Sequence, residues 1–247
     1  MDSKKYMENN VSKELVSRGY TILQSANIMD KSWCDLLKKH QGKWDEFHQS
    51  WNDLPADIFL SDGGHYRFRR YSVFNWLMAE SKLDLLPHEP HYQSTYRNNM
   101  NGGIYRDYDA FDTATIENPL LTNIINYVTS RISFKTEKQW RIQAHQFRIQ
   151  ASADEAGQPT PEGIHRDGAD FILIMVLERQ NITGGVNHIY DSAKRLVFGG
   201  ILENAGDAVL IDDRIVWHGV SEVYPVDGGK SAHRDVLVLT FHHEMML

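Results

Sequence analysis

The chain has 247 residues, 41% apolar and 24% charged, a composition that supports a sizeable globular core. A net charge of -7 and a pI near 5.9 leave no basic footprint for nucleic acid and no cationic face for anionic lipid. Cys34 is the single cysteine, which excludes an intrachain disulfide and fits a reducing compartment. The polar N-terminus MDSKKYMENN lacks the apolar centre of a signal peptide. The longest aliphatic run, Phe171 to Leu177, is too short for a bilayer. The expectation is a cytoplasmic protein with no membrane or nucleic-acid partner.

Residues 1–20 read as a helix running into Gly19, and GYTILQ as a short first strand. A second helix is expected over 29–42, with Ser32 as its cap, Trp33, Leu36 and Leu37 on its apolar face together with a bland Cys34, and Gly42 as its end. Residues 43–64, rich in Asp and Gly, suggest a surface loop. GHYRFRRYSVF alternates as a strand, with Tyr66 and Phe68 on one face and Arg67, Arg69 and Tyr71 on the other. Residues 77–115 read as irregular connection holding one short strand pair. ENPLLTNIINYVTSRI is the clearest helix, with Asn118 as cap and Pro119 at its first position.

From about residue 139 the texture changes to short β-rich runs separated by turn signals such as EAGQP, TGG, NAGD and VDGGK. About seven strands at that spacing indicate a sandwich or barrel, not a βαβ sheet. The expected architecture is a single domain over 1–247, mainly β with flanking helices (α+β). A helical and irregular support, 1–138, would carry a barrel core, 139–247.

The sharpest chemical feature is His165-Arg166-Asp167, with His218 following 53 residues later. Two imidazoles and one carboxylate form a facial triad that leaves three adjacent positions open on a six-coordinate iron, room for a bidentate 2-oxo acid and dioxygen. His165 is expected to end one strand, Asp167 to begin the following loop, and His218 to come from the strand IVWHGV. His-x-Asp alone is a weak signal among 12 histidines. The context adds Arg234, 16 positions after His218, opening the strand RDVLVLTF. Its guanidinium can grip a distal carboxylate through two parallel hydrogen bonds. The bland reading is a strand-end arginine paired with Asp235 or a loop carboxylate.

The ordered set YRFRRYS, ENPLLTNII, AHQFR, IHRDG, GGVNHIYDS, VWHGVSEVYP and RDVLVLTF resembles the bacterial 2-oxoglutarate/Fe(II) dioxygenases typified by L-isoleucine dioxygenase, across residues 65 to 243. The resemblance implies a double-stranded β-helix of the jelly-roll or cupin-like kind. It implies Fe(II) on His165, Asp167 and His218, and 2-oxoglutarate on Arg234. It further implies dioxygen as co-reactant and hydroxylation of an aliphatic carbon of a small free L-amino acid. The first half of the chain matches more loosely. Position 236 is Val236 where some relatives of the wider superfamily carry serine, so Arg234 must find its second contact elsewhere.

Arg69 and Arg67 are candidates for binding a substrate carboxylate, with salt bridges on a strand face as the alternative. Gln146 and Arg148 share a strand face and could touch substrate or co-substrate, or solvent. His145 rivals the triad for a metal position. A three-His site including it would favour a cupin-like metalloenzyme that uses no 2-oxoglutarate, and a non-catalytic barrel module is a further alternative. His188 is expected to be packed, His242 and His243 exposed, and His65, His88 and His91 to fall in loops.

Overall fold

The computed structural model describes residues 3–26, 31–132 and 139–243. Positions 29 and 30 of the expected second helix lie outside them. Helix α1 (Ser3–Arg18) ends at Gly19, whose positive φ turns the chain into β1 (Tyr20–Leu23). α2 (Lys31–Lys39) and α3 (Gln41–Gln49) follow, then β2 (Arg67–Leu77), β3 (Lys82–Leu85), β4 (His91–Tyr92) and β5 (Tyr105–Arg106). A short α4 (Thr113–Ile116) precedes α5 (Pro119–Ile132). Asn118 caps α5 as expected, its Oδ1 accepting from the Leu120 amide at 2.9 Å.

The rest is β: β6 (Gln139–Ala151), β7 (Phe171–Gln180), β8 (Ile182–Gly184), β9 (Asn187–Tyr190), β10 (Leu196–Gly200), β11 (Ala208–Asp212), β12 (Trp217–Val220), β13 (Val223–Pro225) and β14 (Ala232–His243).

Two expectations about the N-terminal half need correction. Ser32 lies inside α2, and Gly42 lies inside α3 instead of closing a helix. Residues 43–64 are therefore not one loop. Trp44, Phe47 and Trp51 recur at helical spacing and all pack on the main core. That spacing was available in the sequence but was masked by the neighbouring Gly and Asp residues.

The major sheet has seven strands in the order β1-β11-β7-β14-β6-β2-β3. Three of them precede residue 139, so a division into support and barrel core at that point does not describe the architecture. β2 pairs with β6 along its whole length, from Arg67↔Ile149 to Leu77↔Gln139. A smaller sheet, β10-β9-β12, faces the major one, and β13 pairs with β8 beside it. These two facing sheets form the double-stranded β-helix, although hydrogen bonding among the described residues does not run unbroken around it. No helix among the described residues is long and apolar enough to cross a membrane.

Period-two alternation divides the major sheet into two working faces. Phe171, Leu173, Met175 and Leu177 of β7 pack towards the helices with Trp140 and Ile142 of β6 and Leu237, Leu239 and Phe241 of β14. The alternate residues Ile172, Ile174 and Val176 face the smaller sheet, with Ile189, Val209 and Val236. Both faces of β7 are covered, which explains why its sequence is continuously apolar instead of alternating.

Trp51 ties the helical layer to this sheet. It is fully buried, and its indole Nε1 donates to the carbonyls of Phe147 (3.1 Å) and Val236 (3.3 Å) on adjacent strands β6 and β14. Trp51→Ala should lower the unfolding free energy by about 3–5 kcal/mol. Trp51→Phe keeps most of the apolar contact and should cost only about 1 kcal/mol through the lost donor. Urea unfolding of both variants checks the order, and equal losses would assign the effect to the lost donor instead of to packing.

Candidate metal centre and cavity

His165 does not end a strand. The segment between β6 and β7 is irregular, and His165 makes a single antiparallel bridge to His218 on β12. Each residue's amide donates to the other's carbonyl, at 2.9 and 3.0 Å, and the imidazole centroids stand 4.4 Å apart. Asp167, two residues on, returns to the side of His165. Arg166 between them turns away, its guanidinium donating to the carbonyls of Ile215 and Val216. Gly168 then bends the chain with φ +88.

One ligand atom from each of His165, Asp167 and His218 lies within 4.8 Å of the other two. Nε2 of His165 is 3.5 Å from Asp167 Oδ1, and Nε2 of His218 is 3.6 Å from Asp167 Oδ2. Nδ1 of His165 faces the Gly163 carbonyl at 3.1 Å, a contact that places the ring proton on Nδ1 and leaves the Nε2 lone pair for a cation. Burial opposes protonation of His165, but the hydrogen bond and charge of Asp167 outweigh it and raise its pKa to about 10. Burial likewise opposes ionisation of Asp167, yet His165 and His218 hold its carboxyl well below the usual carboxylate range. A buried carboxylate that stays ionised and stabilises positive charge beside it also suits a divalent ion. The donor set fits Fe(II).

Asp213 was not singled out from the sequence. It is buried, and its carboxylate accepts the amides of Asp167 (3.3 Å), Gly168 (2.7 Å) and Ala169 (3.1 Å). Its Oδ1 also lies 3.7 Å from His218 Nδ1. It therefore fixes the loop carrying Asp167 and braces His218 from behind. The second aspartate of LIDDR, five residues before His218, was the available signal.

A cavity of about 330 Å3 opens beside the three residues, near the lower end of the ~300–1,000 Å3 range of small-molecule sites. Inward residues of three adjacent strands form its floor in paired rows. Arg67, Ile149 and Arg234 make one row, Arg69, Phe147 and Val236 the next, and Tyr71, His145 and Val238 the third. All but Tyr71 line the cavity.

Arg234 is 2% exposed, and its Nε and Nη2 have no hydrogen-bond partner among the described residues. The bland pairing with Asp235 is absent because adjacent strand residues point to opposite faces. Burial, reinforced by Arg179, lowers the Arg234 pKa to about 9. An uncompensated buried guanidinium is costly, and an anionic ligand would relieve it. Val236 lines the same wall but offers no polar side-chain atom.

Arg67 and Arg69 also line the cavity, but both are already engaged. Arg67 Nε donates to Asp57 Oδ2 at 2.7 Å; Arg69 lies 3.7 Å from the same oxygen and contacts His145 Nδ1 at 2.6 Å. Gln146 and Arg148 do not reach the cavity and occupy the opposite face of β6. Gln146 donates to Ser50 Oγ at 2.6 Å, and Arg148 forms a two-pronged pair with Asp235, at 2.8 and 2.6 Å. His48 approaches the same carboxylate at 3.1 Å. This network holds β14 from behind at the residue next to Arg234, beside a register shift at Asp235/Val236.

His145 belongs to no metal-sized cluster among the described residues. Its ring lies between those of Tyr71 and Phe147, with centroids at 4.9 and 5.5 Å. Burial and then Arg69 push its pKa well below 6.5, so the ring is neutral, and the three-His arrangement is not formed. His91, expected in a loop, lies buried on β4 against His145 and lines the cavity. His242, expected to be exposed, faces the cavity too, because β14 alternates through to its end.

Burial, then Arg69 and Arg106, also hold His91 neutral, well below its ordinary 6.5. The unfolded chain therefore binds a proton that the folded one refuses, so His91 costs stability as pH falls below about 6.5. His91→Phe removes that term. Its melting temperature should gain on wild type as pH is lowered from about 7.5 to about 5.5. A pH-independent difference between the two would refute the assignment.

Residues 48–240 match the family model for 2OG-Fe dioxygenases. The chain is 24% identical over 186 residues to L-isoleucine-4-hydroxylase of Bacillus thuringiensis, covering 73% of this chain and 77% of that one. Its fold matches a crystal structure of a bsmA homolog from Methylobium petroleophilum with a TM-score of 0.83 and 31% identity, covering 96% of this chain and 93% of the other. The crystal structure of IDO from Bacillus thuringiensis superposes with a TM-score of 0.78 at 19% identity, covering 96% of this chain and all of the other. With the metal-fitting cluster and the unpaired guanidinium in one cavity, the match over most of the chain identifies a member of the 2OG-Fe dioxygenase family, a non-haem iron enzyme dependent on Fe(II) and 2-oxoglutarate.

Proposed function

We propose that the whole chain forms one dioxygenase domain that hydroxylates an aliphatic carbon of a small free L-amino acid. His165, Asp167 and His218 hold Fe(II), and Arg234 binds the distal carboxylate of 2-oxoglutarate. The observation that carries this reading is Arg234: a buried guanidinium, unpartnered among the described residues, in the same cavity as the metal-fitting cluster. The amino-acid substrate is supported by the similarity to L-isoleucine-4-hydroxylase and by a cavity wall that is both apolar and cationic. Bound Fe(II) and 2-oxoglutarate would supply the chemistry that activates dioxygen, releasing succinate and CO2 as one oxygen atom enters a C–H bond.

The protein's own part is positional. Asp213 and the Gly163 carbonyl orient the metal-binding side chains. Arg148 and His48 hold β14 so that Arg234 faces inward. The apolar residues Phe147, Ile174, Val236 and Val238 exclude water and receive an aliphatic side chain. Arg67 and Arg69, neutralised in part by Asp57, act as a fixed electropositive floor.

His165→Ala, Asp167→Ala and His218→Ala should each lose the charge-transfer absorption that wild type develops with Fe(II) and 2-oxoglutarate under anaerobic conditions. A variant that keeps the band and turns over normally removes its residue from the set. Arg234→Lys cannot reproduce a two-armed grip. It should raise the KM for 2-oxoglutarate roughly 10- to 100-fold while changing the amino-acid KM far less. The substrate class is tested by mass spectrometry of the twenty free L-amino acids incubated with enzyme, Fe(II), ascorbate and 2-oxoglutarate. The expected product is heavier by one oxygen atom, and no stimulation of succinate formation by any of them would defeat the amino-acid reading.

A further inference from the structure

Five arginines line the cavity: Arg67, Arg69, Arg97, Arg106 and Arg234. One co-substrate carboxylate needs only one of them. Arg67 and Arg69 share Asp57, whereas the fully buried Arg106 and Arg234 have no carboxylate partner among the described residues, and both carry a buried Nε with no acceptor. Burying a guanidinium without a counter-charge is expensive, so two such groups in one cavity imply two incoming anionic groups. If Arg234 takes the distal carboxylate of 2-oxoglutarate, Arg106 is left to a second carboxylate.

The cavity also holds an unsatisfied group of the opposite sign. Glu162 lines it with a largely buried side chain, and its Oε2 has no hydrogen-bond partner among the described residues. Its one ion-pair contact among the described residues is His165 Nε2, at 3.6 Å from Oε1. It stands beside the three metal-fitting residues yet falls outside their cluster. An orphaned buried carboxylate calls for a donor, and a cationic one pairs best in a site shielded from water.

Arg106 is also positioned relative to the metal cluster. On β5, paired with β4 through His91, it donates from Nη2 to Gln93 Oε1 at 3.0 Å. Gln93 Nε2 in turn donates to Asp167 Oδ1 at 3.0 Å. One amide thus separates the guanidinium from the Asp167 carboxylate.

We propose that Arg106 and Glu162 form a split clamp for a zwitterion, Arg106 receiving the α-carboxylate and Glu162 the α-ammonium of a free amino acid. The clamp rests on the amino-acid reading above and deepens it. With both α-groups fixed, only the side chain remains free to lie along Phe147, Val236 and Val238, and the position of the α-carbon determines which side-chain carbon faces the metal. The clamp also selects against peptides, whose internal residues offer neither charged group. Arg69, the first candidate from sequence, is displaced from this role by its contacts with Asp57 and His145.

The test is equilibrium binding to the Fe(II)–2-oxoglutarate enzyme under anaerobic conditions. The twenty free L-amino acids are titrated first. The tightest binder is then compared with its des-amino acid and its decarboxylated amine, which for L-isoleucine are 3-methylpentanoic acid and 2-methylbutylamine. Glu162→Gln should weaken the amino acid roughly 10- to 100-fold and the amine similarly, while leaving the des-amino acid unaffected. Arg106→Gln should weaken the amino acid and the des-amino acid but spare the amine. Glu162→Asp and Arg106→Lys, which keep the charge, should show smaller losses with the same selectivity. The charge-transfer band with 2-oxoglutarate verifies that each variant used is intact. If a substitution weakens all three ligands alike, or none, its residue has no part in the clamp, and the clamp is overturned while amino-acid binding by wild type stands. If wild type binds none of the twenty, the amino-acid reading and the clamp fall together.

Discussion

The site depends on a two-residue exchange of backbone hydrogen bonds. By donating to each other's carbonyls at 2.9 and 3.0 Å, His165 and His218 lock two distant segments face to face, with their imidazoles on the same side. Strand-like alternation then brings Asp167 round to the pair, and the His-x-Asp spacing follows from that geometry. Asp213 secures the arrangement from the protein side by accepting three successive amides of the loop. The donor set is consequently held in place by hydrogen bonds of the protein's own backbone and of Asp213.

A second constraint is electrostatic. The interior of the cavity carries several guanidiniums that no protein carboxylate fully neutralises, and burial lowers two of them, Arg69 and Arg234, to about 10 and about 9. Such an arrangement costs folding stability in the free protein and is sustained by the large apolar cores on both faces of the major sheet. It also makes the cavity selective: ligands that bring carboxylates relieve the strain on the guanidiniums, and neutral ones do not. The opposite face of the same strands uses its charges differently. There Arg148, His48 and Asp235 satisfy one another and serve to hold β14 in place.

Much of this was legible from sequence because it is local. The cap of α5 at Asn118, the alternation of YRFRRYS and RDVLVLTF and the His-x-Asp pair all depend on near neighbours along the chain. Local signals also misled. Gly42 and the surrounding acidic residues suggested a loop where Trp44, Phe47 and Trp51 dock α3 and its extension onto the sheet. His91 looked like a loop histidine because β4 has only two residues, too few to show a period.

By itself the sequence determined the β-rich class, the donor types of the metal-fitting cluster and the arginine that shares its cavity, since each follows from residue chemistry and spacing. Tertiary structure alone decided which face of each strand became the cavity wall. Gln146 and Arg148 share a face, as their spacing requires, but that face meets the helices, while Gln143, His145 and Phe147 meet the site. Only the fold brought Arg106, Glu162 and Asp213 to the centre and drew Arg67 and Arg69 towards Asp57. The reason is that periodicity fixes which residues point the same way, whereas what lies opposite them depends on long-range pairing between strands that the chain does not announce locally.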